Sequence, residues 1–166
     1  MDALAANYSV FLKLPPEIGV FLLSMLPIAE LRIAIPFAIG VYKMPVLPSY
    51  FISVAGNIFP VFFILLFLEK ISQFLTERSE IAKRFFDWLF CRTRKKFFEN
   101  YERWGALALV IFVAIPLPFT GAWTGAVAAY LFGIPRKKAF VLISIGVAIA
   151  GLIVSLLTIG AIKIAV

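Results

Sequence analysis

The chain has 166 residues, of which 63% are hydrophobic, and its 16 Lys and Arg against 9 Asp and Glu give a formal charge of +7. Such an apolar fraction excludes a soluble globular domain and indicates a single integral membrane domain, residues 1–166. There is no histidine and only one cysteine, which excludes histidine-based acid–base catalysis, histidine metal sites and an intrachain disulfide. We therefore expect no enzymatic activity, metal or cofactor.

Four apolar segments are each longer than the roughly 18 to 20 residues that cross a bilayer. They are Ile18–Gly40, Val46–Leu68, Gly105–Ile134 and Ala139–Val166. The second and fourth are predicted to be transmembrane helices. The first and third contain several prolines, and a proline in a helix interior costs about 3 kcal/mol. Irregular backbone at membrane depth is tolerated only where protein or water surrounds it, so these two segments are predicted to be broken.

A basic segment, residues 69–104, separates the first half of the chain (1–68) from the second (105–166). Nine of the sixteen cations lie between Lys70 and Arg103, which predicts a cytoplasmic loop beside anionic lipid rather than a nucleic-acid site. Aromatic residues at helical spacing among these cations predict an amphipathic helix lying in the membrane interface. A loop helix packed under the membrane domain is the alternative.

Charge also distinguishes two topologies. If all four segments span, the basic residues 69–104 and 135–138 lie on opposite sides of the membrane. If the first and third segments enter and return, both basic segments face the cytoplasm, as the positive-inside rule requires. We therefore predict an all-α, multi-pass protein of the cell membrane, built from two inverted repeats. Each repeat is a re-entrant helical hairpin followed by a transmembrane helix, an arrangement found in transporters.

The first apolar segment contains Glu30 and Arg32 between Pro27 and Pro36. A charge at the bilayer centre costs roughly 2.5 to 3.5 kcal/mol on insertion scales. Residues two apart on a regular helix cannot pair, but they could converge if the helix breaks between the prolines. Arg32 is then expected to bind an anionic substrate group, and Glu30 a proton or cation; a buried ion pair that locks the hairpin is the alternative. Asn57 is a polar residue at span depth, suited either to this site or to interhelical hydrogen bonding.

The third segment contains "PLPFTGAWTG", which has no charge but has two threonines and two glycines. A half-helix starting near Thr120 would point its free N–H groups and the positive end of its dipole at the midplane, forming an anion site at Gly121. A packing kink filled by Trp123 is the alternative. The predicted substrate- or ion-binding residues are Glu30, Arg32, Pro27, Pro36, Asn57, Pro116, Pro118, Thr120, Gly121, Trp123, Thr124 and Gly125.

The motifs "LPIAELRIAIPFAIG" and "PLPFTGAWTGA" resemble those of the small multidrug export protein family, and more distantly the DedA superfamily of SNARE-associated (VTT-domain) proteins. The resemblance covers nearly the whole chain. It implies two re-entrant hairpins facing one another and movement of lipids, including polyprenyl phosphates, that depends on the proton gradient. Glu30 matches the acidic residue of the first hairpin. DedA-type second hairpins carry an arginine near the turn, whereas residues 116–125 hold none.

The sequence thus predicts a transporter of an amphipathic substrate, with a lipid-linked phosphate favoured and with coupling to protons or other cations. One alternative is a cationic drug/proton antiporter, and the other is a membrane scaffold or assembly protein. Expected partners are membrane lipids, the substrate, the coupling ion and a second copy of the chain, because four short segments enclose little cavity alone. No nucleic acid is expected.

Overall fold

The computed structural model of the chain describes residues 11–78, 80, 84, 105–117 and 120–165. All regular elements in these residues are helical, which confirms the predicted all-α class. A 3-10 turn, Phe11–Lys13, comes first. The α-helices are α1 (Pro16–Met25), α2 (Glu30–Gly40), α3 (Val46–Arg78), α4 (Ala106–Ala114), α5 (Ala122–Leu131) and α6 (Arg136–Ala165).

The two long helices are α3 and α6. Within the described ranges, two stretches are long and apolar enough to cross a membrane, Val46–Leu68 and Arg136–Ile164. The first coincides with the predicted span, and the second starts three residues before the predicted Ala139. Helix α3 also continues into the basic segment as far as Arg78. The predicted interfacial helix lies in residues that, apart from 80 and 84, are outside the described ones.

Helices α3 and α6 pack against each other in an antiparallel arrangement. The hydroxyl of Tyr50, near the start of α3, donates a 3.1 Å hydrogen bond to the carbonyl of Ala148. Further along α3, the ring of Phe62 meets that of Phe140, with the centroids 6.4 Å apart. Residue numbers rise on one helix as they fall on the other, so the start of α6 lies beside the middle of α3, near Leu66.

The first apolar segment is two short helices that fold back on each other. Residues 26–29 separate α1 from α2, and the Tyr42 hydroxyl, just after α2, donates a hydrogen bond to the Phe11 carbonyl, just before α1. The chain therefore returns to the end at which it entered. The break lies beside Pro27, but α2 runs uninterrupted through Pro36. A proline can be accommodated inside a helix when neighbouring groups satisfy the freed carbonyl.

The third apolar segment has the same form. Residues 115–121 separate α4 from α5, and Gly105 and Ile134, at the outer ends of the pair, line one groove. Gly125 allows the close approach of the two helices, since a Cβ there would lie 2.5 Å from Val113 Cγ2. The two broken segments are thus a pair of helical hairpins, which we call the first and second hairpins.

The two halves repeat one order of elements. Their first helices begin 90 residues apart, at Pro16 and Ala106, and the long helices α3 and α6 also begin 90 residues apart. Gly56 of α3 faces α1, where an added Cβ would lie 2.9 Å from a side chain. Gly146 of α6 faces α4, where an added Cβ would lie 2.7 Å from a side chain. In each half, therefore, the long helix packs against the first helix of its own hairpin at a glycine. The two glycines, like the starts of the long helices, are 90 residues apart.

A shared apolar core joins the two halves. It contains Leu31 and Ile35 of α2 together with Val113 of α4 and Ile143 of α6, all at most 1% exposed. A second cluster, around Phe37, fills the interior of the first hairpin. This packing brings the start of α2 against the start of α5, where the candidate site lies.

Candidate functional site

Glu30 is the first residue of α2, and its carboxylate lies at the N-terminus of α5. The residue is only 5% exposed. The Trp123 N–H donates to Glu30 Oε1 at 3.5 Å, the long end of hydrogen-bond range. The Ala122 N–H and the Asn57 side chain also interact with the carboxylate. The start of α5, where the helix dipole is positive and the N–H groups are free, is therefore occupied by a carboxyl group of the protein itself.

Gly121 makes this approach possible. Its φ is +142°, a conformation that residues with a side chain rarely adopt. A Cβ at this position would also lie 2.7 Å from Glu30 Oε1 and 2.8 Å from Cδ. Glu30 has a φ of +45°, and such a conformation in a non-glycine residue costs of order 1 to 3 kcal/mol. Both sides of the contact therefore have unusual backbone, as is common at functional sites.

Arg32 also reaches the second hairpin, but it binds residues between α4 and α5 instead of the start of α5. Its guanidinium donates to the carbonyls of Leu117 and Thr120, and it contacts the Thr120 hydroxyl at 3.0 Å. That hydroxyl lies 2.8 Å from the Ile115 carbonyl, at the C-terminal cap of α4. The cation thus sits at the negative end of the α4 dipole while Glu30 sits at the positive end of the α5 dipole.

Glu30 and Arg32 do not form an ion pair. Among the described residues, the ion pair that the structure contains is an exposed one, between Arg84 and Glu80 at 3.9 Å. The alternative of a buried ion pair that locks the hairpin is wrong: the break precedes Glu30, both residues lie on one helix, and both side chains converge on the second hairpin without pairing. Instead, the two side chains of the first hairpin bind main-chain groups of the second.

Asn57 of α3 forms one wall of the site and is 1% exposed. Its Oδ1 has no hydrogen-bond partner in the described part of the chain, and the same holds for Ser53 Oγ, one helical turn earlier. A buried polar atom without a partner costs roughly 1 to 3 kcal/mol. Such atoms mark places where water or a ligand supplies the missing bond. Ser53 was not among the predicted residues. It could have been found because residues four apart, such as Ser53 and Asn57, lie on the same face of a helix.

Trp123 connects the site to an apolar groove. Its indole N–H donates to the carbonyl of Met25, the last residue of α1, at 3.2 Å. The groove beside it has a volume of about 330 Å³, and its walls include Phe59 and Phe63 of α3. Trp123 therefore reaches across to the first hairpin and borders the apolar groove, while its main-chain N–H faces Glu30.

The structure brings together half of the predicted site residues. These are Glu30, Arg32, Asn57, Thr120, Gly121 and Trp123. Of the others, Pro27 is exposed in the first break, Pro36 and Pro116 are half-buried, Thr124 donates to the Gly121 carbonyl, and Gly125 packs on α4. Pro118 lies outside the described residues.

Comparison with known proteins matches most of the chain to a family model. The family model described as "Putative small multi-drug export protein" matches residues 30–153. The matched range begins at Glu30 and includes α2, α3, the second hairpin and more than half of α6. No curated protein and no solved structure matches the chain.

Proposed function

This chain belongs to the small multi-drug export protein family, and from that premise we propose that it is a membrane transporter rather than an enzyme. The junction of the two hairpins binds the polar part of an amphipathic substrate. The observation that carries the proposal is the pair Glu30 and Arg32. Two opposite charges in an apolar segment are held chiefly by main-chain groups of the facing hairpin and not by each other.

In the proposed membrane arrangement, α3 and α6 span the bilayer and the two hairpins enter and return. In each hairpin the residues at the two outer ends lie close together, Phe11 beside Tyr42 and Gly105 near Ile134, which supports this arrangement. Leu66 of α3 shares a crevice with Arg136 and Lys137 of α6, so the basic residues 135–138 and the start of segment 69–104 lie on one side. By the positive-inside rule that side is the cytoplasm, and the membrane is the cell membrane.

The proposed cycle depends on the charge of Glu30. While the carboxylate is ionised, it occupies the N-terminus of α5 and holds the hairpins together. When it takes up a proton it loses this charge-assisted attraction, and the N–H groups of α5 become available to another anion. An anionic headgroup then binds there with Arg32 nearby, and its apolar tail lies in the groove beside Trp123. Separation of the hairpins then moves the substrate across the membrane. Because the substrate binds only when Glu30 is protonated, its transport is coupled to that of a proton.

A lipid-linked phosphate is the favoured substrate class because the start of α5 already binds a carboxylate. One observation favours drug/proton antiport as the second candidate. Among the described residues, Glu30 is the buried acidic side chain. A cationic drug and a proton could bind it in turn. A scaffold role is the third possibility, and it predicts that no variant at the site changes flux.

Flux in proteoliposomes tests these functions. Vesicles with an imposed pH gradient are loaded in turn with a fluorescent short-chain polyprenyl phosphate and with tetraphenylphosphonium. We expect gradient-dependent flux of the phosphate, reduced at least tenfold in Glu30→Gln, which keeps a carbonyl acceptor but no titratable proton. Lys163→Gln, exposed at the far end of α6, is the matched control. Flux of the cation alone would establish antiport, and flux of neither probe would refute both transport functions.

A further inference from the structure

A second candidate binding site lies between α3 and α6, at the basic end of the protein. It is a crevice of about 350 Å³. Its lining residues are Phe62, Leu65, Leu66, Phe140, Arg136 and Lys137. The crevice is separate from the groove beside Trp123, which shares none of these residues, and it plays no part in the proposed transport cycle.

The floor of the crevice is apolar and partly open to the outside. The rings of Phe62 and Phe140, which line the crevice, meet edge to face at 85°. Phe62 is 54% exposed. Such a surface suits a hydrocarbon chain, because an inorganic anion such as free phosphate would gain nothing from two aromatic rings and two leucines.

The mouth of the crevice is cationic. Arg136 and Lys137 are the first two residues of α6 and both are exposed. The first turn of that helix holds no acidic residue. The two cations and the positive end of the helix dipole therefore all attract an anion to this end of α6. Lys70, exposed on α3, follows Leu66 by one helical turn but is not one of the residues that line the crevice. The combination of Arg136, Lys137 and the helix dipole is complementary to a phosphate group.

We propose that the crevice binds an anionic phospholipid, with the phosphate at Arg136 and Lys137 and one acyl chain along Phe62 and Phe140. Basic pockets between membrane helices on the cytoplasmic side are known to take such headgroups. The bound lipid covers the seam between α3 and α6, the helix of each half that spans the bilayer in the proposed arrangement. Binding there therefore stabilises the contact between the two halves.

Native mass spectrometry of the detergent-purified protein tests the proposal, with phosphatidylglycerol and phosphatidylcholine of identical acyl chains as probes. We expect tighter binding of phosphatidylglycerol. Each cation near a membrane surface contributes enough for roughly a fivefold change in affinity, so Arg136→Gln with Lys137→Gln should weaken binding about thirtyfold. The matched control, Lys43→Gln with Lys163→Gln, removes the same charge from exposed positions away from the crevice and should bind like the wild type.

Thermal unfolding gives an independent readout on the same proteins. Phosphatidylglycerol should raise the Tm of the wild type and of the control pair, but not of the Arg136/Lys137 pair. Equal effects of both lipids, or equal loss in both variant pairs, would overturn the site. A rise in Tm with inorganic phosphate alone, equal to that with phosphatidylglycerol, would mean that a free anion rather than a lipid is the ligand and would also overturn it.

Discussion

Replacing Gly121 with alanine tests the contact between the hairpins at its narrowest point. The added Cβ would lie 2.7 Å from Glu30 Oε1, a separation that real Cβ atoms essentially never show, so the carboxylate has to leave its donors. The residue would also have to hold a φ of +142°. Backbone strain of this kind costs of order 1 to 3 kcal/mol, and leaving a buried charged group without its partners costs at least 1 to 3 kcal/mol more.

We therefore expect Gly121→Ala to lower the free energy of unfolding by about 2 to 5 kcal/mol, measured by denaturant titration in detergent. Gly160→Ala is the matched control, because a Cβ at Gly160 meets nothing within 4 Å. Alanine is preferred over glycine inside a helix by roughly 0.5 to 1 kcal/mol. The control should be as stable as the wild type or slightly more stable.

A double-mutant cycle with Glu30→Ala separates the two contributions. Removing the carboxylate should relieve the steric part of the Gly121→Ala effect and leave the backbone part, which gives a coupling energy within the roughly 0.5 to 3 kcal/mol seen for residues in contact. If Gly121→Ala is as stable as Gly160→Ala, or if its effect is fully additive with that of Glu30→Ala, the carboxylate does not lie against this glycine and the reasoning fails.

Three further predictions concern other parts of the structure. Arg32→Lys should cost about 1 to 3 kcal/mol in thermal unfolding, because an ammonium group lacks the fork that reaches two carbonyls; an unchanged Tm would contradict the contact. Gly146→Ala should cost about 1 to 3 kcal/mol in the same assay, since its Cβ would overpack against α4, and a neutral effect would refute that close packing. In a Cys91→Ser background, cysteines at Lys70 and Lys137 should react with an impermeant maleimide from the same side, whereas labelling from opposite sides would show that the second hairpin spans.

Much of the architecture was predictable because hydropathy and proline positions report it directly. Val46–Leu68 appears in the structure with the predicted bounds, and the breaks beside Pro27 and Pro116 lie in the predicted segments. Proline was nevertheless an incomplete guide, since Pro36 and Pro60 lie inside helices. The end of α3 could not be predicted from hydropathy, because the apolar stretch marks the membrane and the helix continues past it.

Half of the residues predicted for the candidate site lie together in the structure, but the sequence did not predict which groups they contact. Glu30 and Arg32 stood out because charge is costly in an apolar segment, and Gly121 because glycine opens the backbone. Their partners could not be inferred, since Arg32 binds the carbonyls of Leu117 and Thr120. Every residue has a carbonyl, so this contact has no signature in the sequence. The half-helix predicted to start near Thr120 begins at Ala122, and its start lies against the Glu30 side chain, a contact that the sequence did not predict.

The same feature has a consequence for how mutations spread between the halves. Because the first hairpin binds N–H and C=O groups, substitutions at Ala122, Trp123 or Leu117 leave the bonded atoms in place. A change in the second hairpin then requires no compensating change at Glu30 or Arg32, so paired substitutions should be rare across this contact. Statistical covariation would therefore miss most of this contact. The exceptions are Gly121, whose constraint is the lack of a side chain, and Thr120, whose hydroxyl contacts Arg32.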